Sequence, residues 1–406
     1  MGKEQPDLLT AIDVGSAKVC AVVAEITETG VRYRGHGVAE SRGTRKGVIV
    51  DLDKAVSSVQ RAVEQAETVA EVSVESAVVG VAGPHVRGVN SRGGIAIGSR
   101  SREISREDVR AAVERARAVS LPPDREVLHL LPQEFILDDH NGIRDPAGMV
   151  GAKLEVQVHL ATAASTATQN VVTAVNRAGI HVDDTIYEPL AAADAVLKAD
   201  ERELGVCLCD IGAGSTDIIV FFEGAVAHTG VVPIGGDHFT NDVAVGLRTP
   251  LAEAEKIKKL FGNGMVTRVP EGNEIEVPAV GDRPSRLMPQ RLLAEILEPR
   301  AYELFEMLRD HLRQAGVYEL CGAGTVLTGG AARLPSMAEV AENVVRKPSR
   351  VASPSPISKM PVSLAEPEFA SVVGLVFYGH RTRLARGPQE QGIGAKLKSL
   401  FARKSG

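Results

Sequence analysis

The chain has 406 residues, of which 44% are hydrophobic and 24% are charged, and its formal net charge is −6. This composition is close to the average for soluble globular proteins, and it excludes disordered, collagenous and membrane-embedded classes. Outside residues 381–406 the chain carries 39 basic and 51 acidic residues, so we expect no nucleic-acid partner for the body of the protein.

The first half opens with an apolar strand that ends in Asp13-Val-Gly15 and is followed by a second apolar strand. Asp51 then precedes a segment with apolar residues at helical spacing up to Ala70, which predicts a capped helix. Another strand is predicted over residues 76–82. Together these elements predict a sheet with a helix packed on it.

Residues 84–162 interrupt this pattern with strands and a single helix. We predict strands over 94–98, 127–137 and 153–161, and a helix that Ser105 caps. Such a block is typical of a separate α+β subdomain inserted into a larger domain. The main domain then resumes with a helix predicted over 166–178.

The second half repeats the opening pattern, because Asp210-Ile-Gly212 again joins two apolar strands. Thr249-Pro250 is typical of a helix start, and this helix is predicted to end at Phe261. Residues 262–289 are polar, rich in Gly and Pro, and contain one short strand candidate over 275–277, which indicates a small exposed subdomain.

The last predicted elements bring glycines to a junction between a strand and a helix. A helix over 292–315 with a bend at Pro299 precedes a strand over 324–327, which runs into Gly329-Gly330. A helix over 336–345 follows, and Val372–Tyr378 opens the last helix of the globular body.

Two Asp-Gly turns that face each other can bind a nucleoside triphosphate. Backbone N–H groups of such turns cradle phosphate oxygens, and the carboxylates hold hydrated Mg²⁺. A single turn of this kind is compatible with an ordinary hairpin without a ligand, but two copies plus Gly329-Gly330 favour a site. The candidate nucleotide ligands are Asp13, Gly15, Ser16, Lys18, Gly212, Gly214, Ser215, Thr216, Gly329 and Gly330.

Residues 13–18, 210–217 and 327–334 resemble the phosphate-1, phosphate-2 and adenosine motifs of the actin, Hsp70 and sugar-kinase superfamily. Residues 188–193 resemble its connecting helix. Over essentially its whole length the chain resembles the FtsA family of bacterial cell-division proteins, with further similar stretches at 47–51, 79–83, 232–236 and 280–284.

This resemblance implies an α/β, actin-like two-lobed fold of duplicated ribonuclease-H-like domains, with an inserted α+β subdomain in the first lobe. We expect the first lobe over 1–83, 163–195 and a closing helix at 371–384, with the inserted subdomain over 84–162. The second-lobe core is expected over 196–230 and 301–370, its small exposed subdomain over 231–300, a linker over 385–392 and an amphipathic helix over 393–406.

The resemblance also implies ATP and Mg²⁺ as cofactors. Asp13 and Asp210 are expected to hold the metal through water, and Glu255 and Lys258 match a Glu-x-x-Lys that contacts adenosine in relatives. An ordinary solvated helix pair remains the alternative for these two residues. Glu188 stands where relatives orient the attacking water, so Glu188 and Asp210 are the catalytic candidates, for an ATPase activity that is at most weak.

The C-terminal segment predicts a helix that lies on a membrane. Its apolar residues fall in an arc of about 100° on a helix, and low hydrophobicity with flanking cations is typical of an interfacial helix on anionic lipids. The membrane candidates are Ile393, Lys396, Leu397, Lys398, Leu400 and Phe401. Docking of this face on the body, or a disordered tail, is the alternative. One short helix binds weakly, so attachment would need several copies.

The family resemblance therefore implies a peripheral protein at the cytoplasmic face of the inner membrane, at the division site. It would polymerise with itself, tether the FtsZ ring and recruit later division proteins. The candidate FtsZ contacts are Arg283, Arg286, Arg291 and Arg300. A soluble actin-like ATPase or kinase, and a pilus-assembly relative, are the alternative interpretations.

Overall fold

A computed structural model describes residues 7–98, 101–281 and 283–386 of the protein. The first lobe begins with β1 (Leu8–Val14), β2 (Lys18–Thr27), β3 (Gly30–Glu40), β4 (Thr44–Arg45), β5 (Val48–Ile49), α1 (Leu52–Ala70) and β6 (Ser76–Val81). As predicted, Asp51 caps α1, since its side chain accepts a hydrogen bond from the Lys54 backbone N–H.

The inserted subdomain follows, and the chain then returns to the first lobe. The insertion contains β7 (Val86–Ala96), β8 (Arg102–Glu103), α2 (Arg106–Arg117), β9 (Arg125–Leu137), β10 (His140–Ile143), β11 (Val150–Gly151) and β12 (Lys153–Ala164). The first lobe resumes with α3 (Ser165–Arg177), β13 (His181–Tyr187) and α4 (Glu188–Val196). The strand predicted over 94–98 is the end of the longer strand β7.

The second lobe is built in the same way. It contains α5 (Ala199–Leu204), β14 (Val206–Ile211), β15 (Thr216–Phe222), β16 (Ala225–Val232), α6 (Gly236–Leu247), α7 (Leu251–Phe261), β17 (Glu274–Val277), β18 (Arg286–Pro289), α8 (Gln290–Gln314), β19 (Gly324–Thr328), α9 (Met337–Val345) and β20 (Ser349–Val351). The last helix, α10 (Ala370–Arg386), packs against α4 and the first-lobe sheet. Pro250, rather than Thr249, precedes the first turn of α7.

The two lobes contain sheets of identical topology. The first has the order β3-β2-β1-β6-β13 and the second the order β16-β15-β14-β19-β20. In both sheets the first three strands in sequence pair antiparallel, the fourth strand pairs parallel to the first, and the fifth pairs parallel to the fourth. This correspondence confirms the predicted duplication of one α/β unit.

Helices α4 and α10 join the lobes through one apolar core. Leu190 of α4 and Val373 of α10 are both buried, and they belong to a cluster that includes Leu9 of the first sheet and Leu208 of the second. Gly374 permits the close crossing, because an added Cβ atom there would lie 2.0 Å from the carbonyl oxygen of Ala191. The two sheets and the two helices thus share one buried core.

The inserted subdomain contacts both lobes. Its sheet has the order β10-β9-β12-β7, with α2 packed on β7 and β12. Its Gln133 side chain donates a hydrogen bond of 2.8 Å to the carbonyl oxygen of Val226 in β16, and His159 Nε2 lies 2.9 Å from Thr229 Oγ1 in the same strand. The insertion, although it interrupts the first lobe in sequence, is thus also attached to an edge strand of the second.

Candidate functional site

Two aspartates lie at corresponding points of the two sheets. Asp13 is near the end of β1, opposite Cys20 of β2, and Asp210 is near the end of β14, opposite Asp217 of β15. In each lobe the chain then turns through a glycine and returns as an antiparallel strand. The turns face each other across a cavity of about 360 Å³, a volume typical of small-molecule sites.

The cavity brings together most of the residues predicted from the three motifs. Its lining includes Asp13, Gly15, Ser16, Lys18, Glu188, Asp210, Gly212, Glu255, Lys258, Gly329 and Gly330. These residues come from both lobes and from the connecting helix α4. The cleft is therefore assembled by tertiary packing from segments that are far apart in sequence.

The carboxylates on the floor of the cleft are crowded and poorly solvated. Burial raises the pKa of Asp13 to about 6, against the opposing charge of Lys18, and the charge of Asp210 raises it further. Burial also raises the pKa of Asp210, while a hydrogen bond from Ser371 lowers it. For Glu188, burial and then the charges of Asp13 and Asp210 raise the pKa well above its ordinary value.

The buried carboxylate of Asp13 has an oxygen atom that can bind a cation. Asp13 is only 8% exposed, and its Oδ1 atom has no hydrogen-bond partner among the described residues. A buried carboxylate oxygen without a partner is costly unless a cation or an ordered water satisfies it. Oxygen donors of this kind are those that Mg²⁺ prefers, so Asp13 and Asp210 fit a hydrated magnesium ion.

Two glycines make room for the carboxylates. Gly329 has φ +85°, and an added Cβ atom there would lie 2.3 Å from Oδ1 of Asp210. At Gly80, which lies in the similar stretch 79–83 but was not a predicted site residue, an added Cβ atom would lie 2.4 Å from Oε1 of Glu188. Contacts this short do not occur, so both positions require glycine for the present side-chain positions.

Ser371 and Glu368 also line the cavity, although sequence reasoning did not select them. Ser371 at the start of α10 donates a hydrogen bond of 2.7 Å to Oδ2 of Asp210. Glu368 accepts a hydrogen bond of 2.8 Å from Lys18. Asp217 Oδ1 accepts one of 2.9 Å from the backbone N–H of Gly83, which links the second lobe to the first. Ser371 and Glu368 are distant in sequence from the residues they contact, and the motif pattern contains no signal for them.

The lining of the cavity also includes apolar side chains. These side chains are Phe239, Ala331 and Leu334. Two residues of α7, Glu255 and Lys258, also line the cavity. Lys258 Nζ lies 2.6 Å from Oε2 of Glu255 and donates a hydrogen bond of 2.9 Å to the carbonyl oxygen of Gly236. The predicted Glu-x-x-Lys pair is therefore part of the cavity wall.

Three predicted nucleotide ligands do not line the cavity. Thr216 is 1% exposed, and its hydroxyl donates a hydrogen bond of 2.8 Å to the carbonyl oxygen of Ile234. The Ser215 hydroxyl is directed to Asp217 at 3.4 Å, and Gly214 packs against Lys46 of the first lobe. Gly214 and the hydroxyls of Ser215 and Thr216 thus take part in tertiary contacts, and their assignment as nucleotide ligands stays a prediction.

Sequence comparison identifies relatives over almost the whole chain. The chain is 43% identical over 373 residues to the cell division protein FtsA of Pseudomonas aeruginosa, covering 92% of this chain and 89% of that protein. It is 38% identical over 385 residues to the Escherichia coli protein of the same name, covering 93% and 91%. The chain belongs to the FtsA family.

Family models agree with this assignment. Residues 207–374 match the model of the cell division protein FtsA, and residues 83–162 match the SHS2 domain inserted in FtsA. The second match covers the inserted subdomain with its sheet β10-β9-β12-β7.

Solved structures show the same fold at low sequence identity. A PilM–PilN type IV pilus biogenesis complex matches with a TM-score of 0.66 and 17% identity, over 93% of this chain and 99% of that chain. MreB5 of Spiroplasma citri bound to AMPPNP matches with 0.52 and 14%, over 91% and 95%. The MamK double helical filament matches with 0.52 and 10%, over 91% and 98%. The FtsA-family chain therefore has an actin-like fold.

The four arginines expected to contact FtsZ do not form one set of available cations. Arg300 is paired with Asp242 through two hydrogen bonds of 2.6 and 3.0 Å, and Arg286 donates one of 2.6 Å to the carbonyl oxygen of Leu247. Arg291 lies 3.6 Å from Glu271, and Arg283 is exposed. Arg300, Arg286 and Arg291 thus have intramolecular partners, and the contact of the four arginines with FtsZ stays a prediction.

The residues of the predicted membrane helix, 393–406, lie outside the described part of the chain. Within residues 7–98, 101–281 and 283–386, the structure contains no helix with the length and hydrophobicity needed to cross a membrane.

Proposed function

We propose that this chain is an ATP-binding member of the FtsA family that polymerises at the inner membrane face, tethers the FtsZ ring and recruits later division proteins. The observation that carries the proposal is the pair of Asp-Gly turns, at the ends of equivalent strands, facing one cavity. Such turns present backbone N–H groups to phosphate oxygens. Family membership favours division over the pilus-assembly alternative.

Bound ATP would place its phosphates between the two turns. Backbone N–H groups near Gly15 and Gly212 would hold phosphate oxygens, with Lys18 adding a point charge. Asp13 and Asp210 would hold Mg²⁺ through its water ligands, and this ion neutralises phosphate charge. The adenosine would lie toward Lys258 and Phe239.

Glu188 is suited to orient water rather than to abstract a proton rapidly. Its carboxyl is buried beside Asp13 and Asp210, which raises its pKa well above the ordinary value and favours the neutral form. A neutral carboxyl donates a hydrogen bond but does not act as a base. This supports an ATPase activity that is slow at most.

Polymerisation and tethering are supported by fold and family. The structural neighbours include MamK in a double helical filament and MreB5 bound to the nucleotide AMPPNP. A filament would multiply the weak membrane affinity of the basic, amphipathic segment 393–406. In the small second-lobe subdomain, the proposed contacts for FtsZ are Arg283, Arg286, Arg291 and Arg300. The inserted subdomain is the proposed site for later division proteins.

Calorimetric titration with ATP in the presence of Mg²⁺ tests the cleft assignment. The wild-type chain should bind one ATP, and Asp210→Ala should bind it at least tenfold more weakly, because the metal loses one of its two carboxylates. Asp139→Ala, in an exposed turn, is the matched control and should leave the affinity unchanged. Absence of ATP binding to the folded wild-type protein would refute the assignment.

A further inference from the structure

Glu368 is a cleft carboxylate that lies outside the phosphate and adenosine motifs. It belongs to the short turn Pro367–Phe369 just before α10, and it lines the cavity. Its Oε2 atom accepts a hydrogen bond of 2.8 Å from Lys18 Nζ, and its Oε1 atom accepts one of 2.5 Å from Arg333 Nη1. One side chain thus pairs with a cation at the phosphate end and with a second at the adenosine motif.

The cations that line the cavity all have carboxylate partners within the described residues. Glu368 pairs with Lys18 and Arg333, while Glu255 lies 2.6 Å from Lys258 and 3.0 Å from Lys259. A polyanionic ligand would therefore compete with existing ion pairs for each positive charge. Of the two carboxylates, Glu368 is the one that contacts the lysine of the phosphate motif.

Glu368 carries its negative charge at neutral pH. Burial alone would raise the pKa of this carboxyl, but the hydrogen bond and charge of Lys18, and the charge of Arg333, lower it below its ordinary value. Lys18 is also held by the carbonyl oxygen of Glu368 at 2.8 Å and lies 4.0 Å from the ring centroid of Phe369. The turn thus restrains the lysine through its backbone and an aromatic ring as well as through the carboxylate.

We propose that Glu368 sets the nucleotide affinity of this cleft by competing with phosphate oxygens for Lys18 and Arg333. The inference rests on the proposed function, in which the cleft binds ATP. Because repulsion from the carboxylate grows with ligand charge, Glu368 weakens the binding of ATP more than that of ADP, and it leaves uncharged adenosine unaffected. The residue therefore reduces the preference for the triphosphate and keeps bound nucleotide exchangeable.

Glu368→Gln tests this role, because the amide keeps the shape of the side chain and the backbone contact to Lys18 while removing the charge. Affinities are measured by displacement of a fluorescent ATP analogue with ATP, ADP and adenosine, at two ionic strengths. We expect ATP to bind about two- to fivefold more tightly to this variant, within the range for partly exposed ion pairs. The gain should be smaller for ADP, absent for adenosine and reduced at high salt.

Glu366→Gln is the matched control. Glu366 lies two residues away and its Oε2 atom is 3.4 Å from Arg333 Nε, but it forms no ion pair with Lys18 in the described chain. Removal of its charge should increase ATP affinity by less than half of the gain at Glu368. In a Lys18→Gln background, the gain from Glu368→Gln should shrink, because the contested cation is absent.

The outcomes separate this inference from the proposed function. If wild-type protein binds ATP and Glu368→Gln binds it equally or less tightly, the role of Glu368 is overturned while the nucleotide site stands. An equal gain for adenosine, or an equal gain in Glu366→Gln, would also overturn it. If neither the folded wild-type protein nor the variants bind ATP, both the proposed function and this inference fail.

Discussion

Replacement of Asp13 by asparagine should stabilise the protein while abolishing its response to nucleotide. The pKa of this buried carboxyl is about 6 in the folded protein, against 3.8 as its ordinary value. The folded state therefore binds this proton more tightly than the unfolded state does. Protonated Asp13 stabilises the fold, and this contribution is fully present below pH 3.8 and is lost as pH rises through 6. At 1.36 kcal/mol per pH unit, ionised Asp13 destabilises the fold by about 3 kcal/mol at pH 8.

Urea unfolding of wild type and Asp13→Asn at pH 5 and pH 8, without nucleotide, measures this effect. The variant should be the more stable protein at pH 8, and its advantage should grow by about 1 kcal/mol from pH 5 to pH 8. Asp139→Asn makes the same chemical change at an exposed position, and its stability relative to wild type should not change between pH 5 and pH 8. A variant that is less stable at pH 8, or an advantage independent of pH, would refute the electrostatic reasoning.

Mg²⁺ and ATP should bring the stabilities of the two proteins close together at pH 8. A ligand at a concentration of about 100 times its dissociation constant adds roughly 2.7 kcal/mol to the stability of the protein that binds it. Wild type should gain this amount, whereas Asp13→Asn should gain little, because it lacks one of the two carboxylates assigned to the metal. Equal stabilisation of both proteins would contradict the role of Asp13.

Two further variants test how the carboxylates are positioned. Gly80→Ala places a Cβ atom 2.4 Å from Oε1 of Glu188. The rate of ATP hydrolysis should therefore fall at least tenfold, while the dissociation constant for ATP should change less than threefold. An unchanged rate of hydrolysis would contradict the role of Glu188. Ser371→Ala removes the 2.7 Å hydrogen bond to Asp210, so half-maximal nucleotide binding should need about three- to tenfold more Mg²⁺, and Ser371→Thr should restore it. The same Mg²⁺ requirement in all three proteins would show that Ser371 does not position Asp210.

The sequence predicted those parts of the site that are local. The turns at Asp13 and Asp210 each lie within one strand-turn-strand unit, so the motif and its repetition were sufficient to find them. The same holds for α1 and α2, whose caps at Asp51 and Ser105 lie three residues from their backbone partners. The two-lobed fold followed from the repeated pattern together with the family resemblance.

Features that depend on tertiary packing were not predictable in this way. Glu368 contacts Lys18 across 350 residues, and Ser371 contacts Asp210 across 161. The Thr216 hydroxyl donates a hydrogen bond to a carbonyl oxygen 18 residues away, and Arg300 forms an ion pair with Asp242, 58 residues away. A motif shows which residue types stand near a turn, but the packed structure determines which groups are already paired.

Sedimentation with anionic liposomes tests the proposed membrane tether most directly. The full chain is compared with a chain that ends at Gly392, each with and without Mg²⁺ and ATP, and Asp13→Asn serves as the variant that does not respond to nucleotide. We expect the full chain to pellet with lipid, more strongly with ATP, and the shortened chain to stay in the supernatant. If the full chain also stays in the supernatant under every condition, the tether is refuted and a soluble actin-like ATPase becomes the better account.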